Sequence, residues 1–394
     1  MRTIIINGRL ILPDTMTEEQ ELVLENGRIQ AICPVGEADR TDAVLVDAAG
    51  DYIMPGIIDI HSDMIESYIQ PRSTAVMDFE MGLKEAERVL AGCGITTMFH
   101  SISMYRDGTW DVKEIRQAPQ VKKLAALVAY YRHDERLIRH RYHLRYEIDN
   151  LACYDDVMDM MRKGDVDLLS FMDHTPGQGQ YKNLEIYRKH QANDGRDLTE
   201  EAFAQLVKTE QEKELITMEQ LQAMAALAKK LGIAVASHDD DTLEKLDLNE
   251  KLGVAISEFP ITIEVAKAAR KKGFYTVVGA PNVLLGGSHS GNLSALEAIK
   301  AEAADVLVSD YYPQALLQAV FQLFEKEGIP VWEAVRYVTL NPAIAVGLGR
   351  ELGSIEVGKR ADLLLVRSKN CRPALERVFV EGTCILDCKY RKAD

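Results

Sequence analysis

Short apolar runs alternate with helical stretches through the middle of this chain, and that alternation narrows the available folds more than any other feature. The runs are Ile57–Ile60, Ile95–Phe99, His143–Ile148, Val166–Met172, Ile233–Ser237, Val254–Glu258, Tyr275–Gly279 and Val306–Ser309. Each has the length of a buried strand. Between them lie segments such as Met218–Leu231, where Met218, Leu221, Met224, Ala225, Leu227 and Ala228 recur at helical spacing. Eight strand–helix units predict an α/β fold, a (β/α)8 barrel of the TIM type. An open doubly wound sheet is the alternative. The first run is not followed by the glycine-rich turn of a dinucleotide-binding domain, which counts against that alternative.

Both ends of the chain read differently. Thr3–Ile6, Arg9–Leu12, Glu21–Leu24 and Arg28–Ile32 are strand-like and separated by Asn7-Gly8 and Asn26-Gly27, which are hairpin signals. Residues 353–366 and 378–382 continue the pattern after the last helical stretch. Neither end has enough strands to bury a core alone. Paired, residues 1–54 and 346–394 would make one small β-sandwich, with the barrel, 55–345, inserted between them.

Of the 394 residues 47% are hydrophobic and 27% charged, as in a globular protein, and no apolar run is long enough to span a bilayer. The start, Met1–Asn7, reads as strand rather than signal peptide, so the expectation is a cytoplasmic enzyme without a membrane partner. A net charge of −15 argues against nucleic acid. It leaves open a small anionic substrate in a locally positive pocket. Six scattered cysteines with no CxxC spacing read as buried free thiols.

Barrel enzymes keep their chemistry at the carboxyl ends of the strands. In order, those ends carry His61 and Asp63, His100, Glu147, His174, His238, Glu258 and Asp310. A lone histidine is more often structural than functional. Together, His61, Asp63, Glu147, His174, His238 and Asp310 make an imidazole–carboxylate set without thiolate, suited to zinc, with manganese or iron as alternatives. Six such ligands would hold two divalent ions sharing one carboxylate, an arrangement suited to hydrolysis.

The opening Pro55-Gly56-Ile57-Ile58-Asp59-Ile60-His61, the late Asp310 and the run from Gly353 to Asp362 resemble the amidohydrolase superfamily. Within it the chain is similar to the PhnM branch, the α-D-ribose 1-methylphosphonate 5-triphosphate diphosphatases. The strings that carry this are His61-Ser62-Asp63-Met64-Ile65-Glu66 with Pro71-Arg72, His143-Leu144-Arg145-Tyr146-Glu147, Met172-Asp173-His174-Thr175-Pro176-Gly177-Gln178 and Ala236-Ser237-His238-Asp239-Asp240. Glu258-Phe259-Pro260, Gly279-Ala280-Pro281-Asn282, the loop 286–292 and Ser309-Asp310-Tyr311-Tyr312-Pro313 complete the set. The superfamily usually opens with His-x-His; His-x-Asp marks this branch. Many members bridge their metals with a carboxylated lysine. No lysine ends the third or fourth run, so the resemblance makes Glu147 the bridge. It further implies one metal on His61, Asp63, Glu147 and Asp310, the other on Glu147, His174 and His238, and Asp310 as the catalytic proton acceptor.

The loop Gly286-Gly287-Ser288-His289-Ser290-Gly291-Asn292 follows the seventh strand and precedes a helical stretch, a recurrent phosphate site in barrels. Gly287, Ser288, His289, Ser290 and Asn292 are therefore read as phosphate-binding residues, against the plainer reading of a flexible turn. Arg72, just after the first strand, is a second candidate phosphate ligand. The basic stretch Arg132, Arg136, Arg139, Arg141, His143 and Arg145, with His133 and His140, is read as a solvated helix face rather than an anion site. His100 is expected to face the pocket without being a ligand. Tyr68, Ser73 and Phe79 depart from the branch pattern in the loop where substrates are distinguished. The charged stretch from Gln178 to Glu214 is a candidate lid or a solvated helical insertion.

The expected function is a metal-dependent diphosphatase acting on a phosphorylated ribose in phosphonate metabolism, working as a homodimer. The alternatives are an amidohydrolase acting on an amide, cyclic amide or amino-substituted ring, and a barrel that has lost its chemistry.

Overall fold

The computed structural model of the chain describes residues 2–109, 113–193, 198–287 and 293–390. Eight parallel strands form the barrel: β1 (Ile57–Ser62), β2 (Ile95–Met104), β3 (Arg139–Glu147), β4 (Leu168–Met172), β5 (Ala234–His238), β6 (Ile256–Glu258), β7 (Tyr275–Gly279) and β8 (Val306–Val308). They pair in sequence order from β1 to β8. The last seam is closed by a single parallel bridge, Ser62 to Asp310. Below that bridge Val338 accepts a hydrogen bond from Ile58 and Tyr337 one from Leu307, so the chain at 337–338 fills the gap between β8 and β1.

Strand alternation sorts the side chains into two cores. Ile58, Ile60, Phe99, Leu168, Ala236, Ile256, Val277, Val306 and Val308 fill the barrel, whose floor is plugged by Val346 and Leu352. Ile57, Met98, Leu144, Leu169, Val235, Val278 and Leu307 point out against the helices. The helix Met218–Leu231 shows why the intervening segments are helical. Thr217 and Gln220 form a reciprocal capping box, Gly232 ends the helix at φ +73°, and Leu221, Met224, Ala225 and Ala228 make the buried face.

The ends of the chain build two further sheets. One contains only N-terminal strands; the other joins Arg9–Ile11, Met16–Thr17 and Tyr52–Pro55 to the C-terminal strands Leu363–Ser368, Pro373–Val380 and Thr383–Asp387. Asn26-Gly27 turns a hairpin, as its sequence predicts. Asn7-Gly8 does not. The strand before it pairs in the first sheet and the strand after it in the second, so the dipeptide is a corner between sheets. A side chain on Gly8 would run into Ile53. The cysteines are unpaired, but only Cys93 and Cys153 are buried. Among the described residues no helix is long and apolar enough to cross a membrane.

β3 is longer than the sequence suggests and takes in part of the basic stretch. Arg139 and His140 are buried strand residues and not a solvated helix face. His140 packs outward against His100, Nδ1 to Nε2 at 2.9 Å, and against Glu87 of the helix Phe79–Gly92. His100 therefore lies in the layer between barrel and helices and does not face the pocket. The reason is strand parity: Phe99 and Ser101 point inward, so His100 points out. Tyr68 packs on the helix-side core and Phe79 is buried in it, while Ser73 lines the active-site cavity. Of the three departures, only Ser73 is placed to touch a substrate.

Candidate metal centre

The seam between the last and first strands holds three of the candidate residues in register. The Asp63 amide donates to the Asp310 carbonyl at 2.9 Å, and the Asp310 amide to the His61 carbonyl at 3.0 Å. Asp310 adopts φ +60°, a conformation costly for a non-glycine residue and typical of functional turns. Beneath the seam Asp59 accepts from the His61 and Ser309 amides. Burial pushes its carboxyl up to about 6.

Inside the barrel, one step below the mouth, lies a fully buried polar knot. His61 Nδ1 is 2.7 Å from Glu258 Oε1, Ser170 donates to Glu258 Oε2 at 2.7 Å, and His143 Nε2 lies 3.8 Å from the same oxygen. The other nitrogen of His143 is fixed by Ser101 and the Ile60 carbonyl. Burial alone would raise the pKa of Glu258, but the contact with His61 overcomes it and holds the pKa below the usual carboxylate range. Burial drives His143 down to about 3, so it stays neutral.

Across the mouth, Glu147 and His174 meet directly: His174 Nδ1 is 2.8 and 2.9 Å from the two carboxylate oxygens. Burial opposes the charged imidazole, but Glu147 outweighs it and raises the His174 pKa. His238 is buried with neither ring nitrogen hydrogen-bonded, although Asp239 lies 2.8 Å from Nδ1. Burial lowers its pKa despite that carboxylate.

The six candidate ligands thus fall into neighbouring groups rather than one tight shell. Asp63 and Asp310 share the seam with His61, Glu147 holds His174, and the His238 ring lies 5.4 Å from that of His61. Among the described residues, the one set of potential donors all within 4.8 Å of one another is His61, His143 and Glu258. Two of these were not among the ligands expected from sequence. His143 was taken with the basic stretch, and Glu258 was placed at a strand end but not in the ligand set. Inward parity with Glu147 on β3 was the available signal for His143.

The residues fit divalent metal. The donors are imidazole and carboxylate, and a buried histidine whose Nε2 has no partner is costly unless something binds it. We read the knot as the support beneath the metal ligands. Glu258 is already spent on His61, His143 and Ser170, while His61 Nε2 has no hydrogen-bond partner among the described residues.

A cavity of about 920 Å³ opens beside Glu147 and His174, lined by five cations: Arg72, Arg106, Lys113, Arg116 and Lys213. Arg116 grips Glu66 (2.5 Å) and reaches Asp63 (3.2 Å), and Lys113 shares Glu66. Arg106 and Lys213 both contact Asp149 and Glu210. Arg72 is exposed and, among the described residues, makes no ion pair. The 178–214 stretch is helical over Leu184–Asn193 and Glu200–Gln211, and it walls this cavity through Tyr181, Tyr187, Leu206 and Glu210. Arg145, two residues before Glu147 and so on the same face of β3, adds its charge to Asp63, His174 and His238. Its Nε is buried without a partner. The sequence pattern gives no signal for Arg116, and Arg145 is a strand residue on the Glu147 face rather than part of a solvated helix face. Gly287 lies beyond the short helix Ala280–Leu285, which intervenes between β7 and the loop. Ser288, His289, Ser290 and Asn292 lie outside the described residues.

Nearly the whole chain aligns with a diphosphatase. It is 32% identical over 387 residues to α-D-ribose 1-methylphosphonate 5-triphosphate diphosphatase of Escherichia coli (strain K12), covering 96% of this chain and 99% of that one. The chain belongs to the amidohydrolase superfamily. The relation to the E. coli protein places it in the PhnM branch, and residues 209–385 match the amidohydrolase family model. Imidazolonepropionase of Streptococcus gordonii (strain Challis) is 24% identical over 373 residues, 90% of this chain and 85% of that one. Among solved structures, an enamidase superposes with TM-score 0.64 at 16% identity, over 98% of this chain and 96% of that one. N-acetylglucosamine-6-phosphate deacetylase from Pasteurella multocida gives 0.61 at 14%, over 97% and 99%. These two show the shared fold. The protein is a hydrolase of this superfamily, whose members typically use divalent metals.

Proposed function

We propose that this hydrolase is a metal-dependent diphosphatase that cleaves a ribose 5-triphosphate bearing a 1-phosphonate to the 5-phosphate and pyrophosphate. The observation that carries the reading is the cation-lined cavity opening directly onto Glu147 and His174, in a chain aligned end to end with a relative of that activity. Two divalent ions, zinc foremost, held by His61, Asp63, Glu147, His174, His238 and Asp310, would supply Lewis acidity for the water and the phosphoryl oxygens. Asp310 takes a proton from the attacking water, which adds to the phosphorus nearest the ribose as the bond to the bridging oxygen breaks. Pyrophosphate departs with its charge met by Arg72, Lys113 and Arg116. A separate general acid is unnecessary for so weakly basic a leaving group.

The test is pyrophosphate release from ribose triphosphates with and without the 1-phosphonate. Turnover should require the triphosphate, and Asp310→Asn, brought to full metal occupancy with excess metal, should lose at least about 10³-fold in kcat while melting like the parent. Substantial turnover by a fully metallated Asp310→Asn protein would remove Asp310 from the mechanism. The imidazolonepropionase relative favours a second reading, cyclic-amide hydrolysis at the same centre. Cleavage of a cyclic-amide panel with no pyrophosphate release from any triphosphate would select it.

A further inference from the structure

Apart from Arg145, the arginine-rich run before and within β3 has no part in the mouth of the barrel. It lies at the opposite end, where Arg132, Arg136, Arg139, Arg141 and Arg360 line a cavity of about 220 Å³ between the barrel floor and the terminal sheets. Leu348 and Leu352 form its apolar wall. The ion pairs there do not balance. Asp167 serves both Arg132 (2.5 Å) and Arg141 (2.9 Å), and Asp362 and Glu381 serve Arg139, with Glu381 also taking Arg360 at 2.6 Å. Glu351 is shared between Arg360 and Arg28. Arg136 makes no ion pair among the described residues; its guanidinium donates to the carbonyls of Arg132 and Asp134. Six guanidinium groups therefore meet four directly paired carboxylates, with Asp165 acting on Arg132 and Glu381 on Arg136 at longer range, which leaves a positive cluster in a chain of net charge −15. Arg132 Nε is buried with no hydrogen-bond partner. Burial outweighs Asp167 at Arg132, and Arg141 adds repulsion, so its pKa is held below the ordinary range.

We propose that this floor cavity is a binding site for a phosphate-class oxyanion, with Arg132, Arg136 and Arg141 as its principal donors. Guanidinium forks pair with phosphate oxygens bidentately. An oxyanion answers both the positive cluster and the unengaged donor. The cavity holds one or two phosphate groups but no nucleotide. Bound there, the anion ties the start of β3 to Arg360 and hence the barrel to the small domain. The site is independent of the proposed reaction, which takes place at the other end of the barrel.

The experiment is thermal unfolding of the full chain after chelator treatment, in sodium phosphate, sodium pyrophosphate and sodium chloride at matched ionic strength. Phosphate or pyrophosphate should raise Tm by about 2–4 °C over chloride. The rise should persist in Asp310→Asn and vanish in Arg136→Gln/Arg141→Gln. Arg136→Gln alone, which breaks no ion pair, should lose at least half of it if the double variant folds poorly. A larger rise with pyrophosphate assigns the site to a diphosphate, a larger one with phosphate to a monophosphate. No oxyanion-specific rise, or one of full size in Arg136→Gln and the double variant, overturns the proposal.

Discussion

His61 has one ring nitrogen committed to Glu258 and the other free, and that asymmetry is what a metal-ligating histidine needs. A carboxylate on Nδ1 fixes the tautomer and the ring plane and makes the opposite nitrogen a better donor. Glu258 is unusually well placed for this. It is fully buried, accepts from Ser170, and is held below the usual carboxylate range by His61 although burial pushes the other way. Glu258→Gln keeps the shape and removes the charge. It should lower metal affinity 10–100-fold, read by competition with a chromogenic chelator, with the melting temperature of the metal-free protein little changed. Unchanged affinity would mean that the orientation of His61 is set elsewhere.

At the scale of elements, six of the eight barrel strands stand within two residues of where apolar runs place them, because a strand buried on both faces announces itself by composition. β2 and β3 are the exceptions. β2 runs on through His100, Ser101 and Ser103, and β3 begins at Arg139, so both contain polar residues that an apolar-run reading stops at. Several of them are buried with partners from other elements, as His100 is with His140 and Arg139 with Asp362. Pairing across strands is invisible in a linear pattern. The same limit hid His143 and Arg145, whereas His61, Glu147 and Asp310 were legible because they sit where strands end.

The His100 layer has a pH signature. Burial, reinforced by His140, holds His100 neutral, its pKa well below the 6.5 of an exposed imidazole. Below pH 6.5 the unfolded chain takes up a proton there that the folded chain refuses, so stability falls as the pH drops and is unaffected above that value. The slope reaches about 1.4 kcal/mol per pH unit for one such group. In His100→Asn the dependence between pH 6.5 and 5 should flatten by up to that amount in urea titrations, whatever the variant costs at pH 8. An unaltered slope would mean that His100 is protonated in the folded protein.

For the molecule as a whole, the two ends of the chain meet the barrel at its floor, far from the catalytic mouth. Strand Tyr52–Pro55 runs straight into β1 while pairing with Leu363–Ser368, and the Gly56 amide donates to the Asp362 carbonyl, so the small domain is a direct extension of the first barrel strand. Arg139 crosses this junction from β3, paired with Asp362 and, at 2.7 Å, with Glu381. Its side chain is only 9% exposed and that of Asp362 5%, so neither charge has water to fall back on. Removing one member of such a pair strands the other, which costs more than the intact pair contributes. Arg139→Met should therefore destabilise by about 3–5 kcal/mol in urea unfolding, while Arg139→Met/Asp362→Asn should recover a good part of the loss. Glu381 keeps Arg360 in both variants, so the recovery reports on Asp362. Metal content should be the same in all three proteins, since the junction and the mouth lie at opposite ends of the strands. A double variant no more stable than Arg139→Met would show that the arginine acts through packing of its stem rather than through the carboxylate it neutralises.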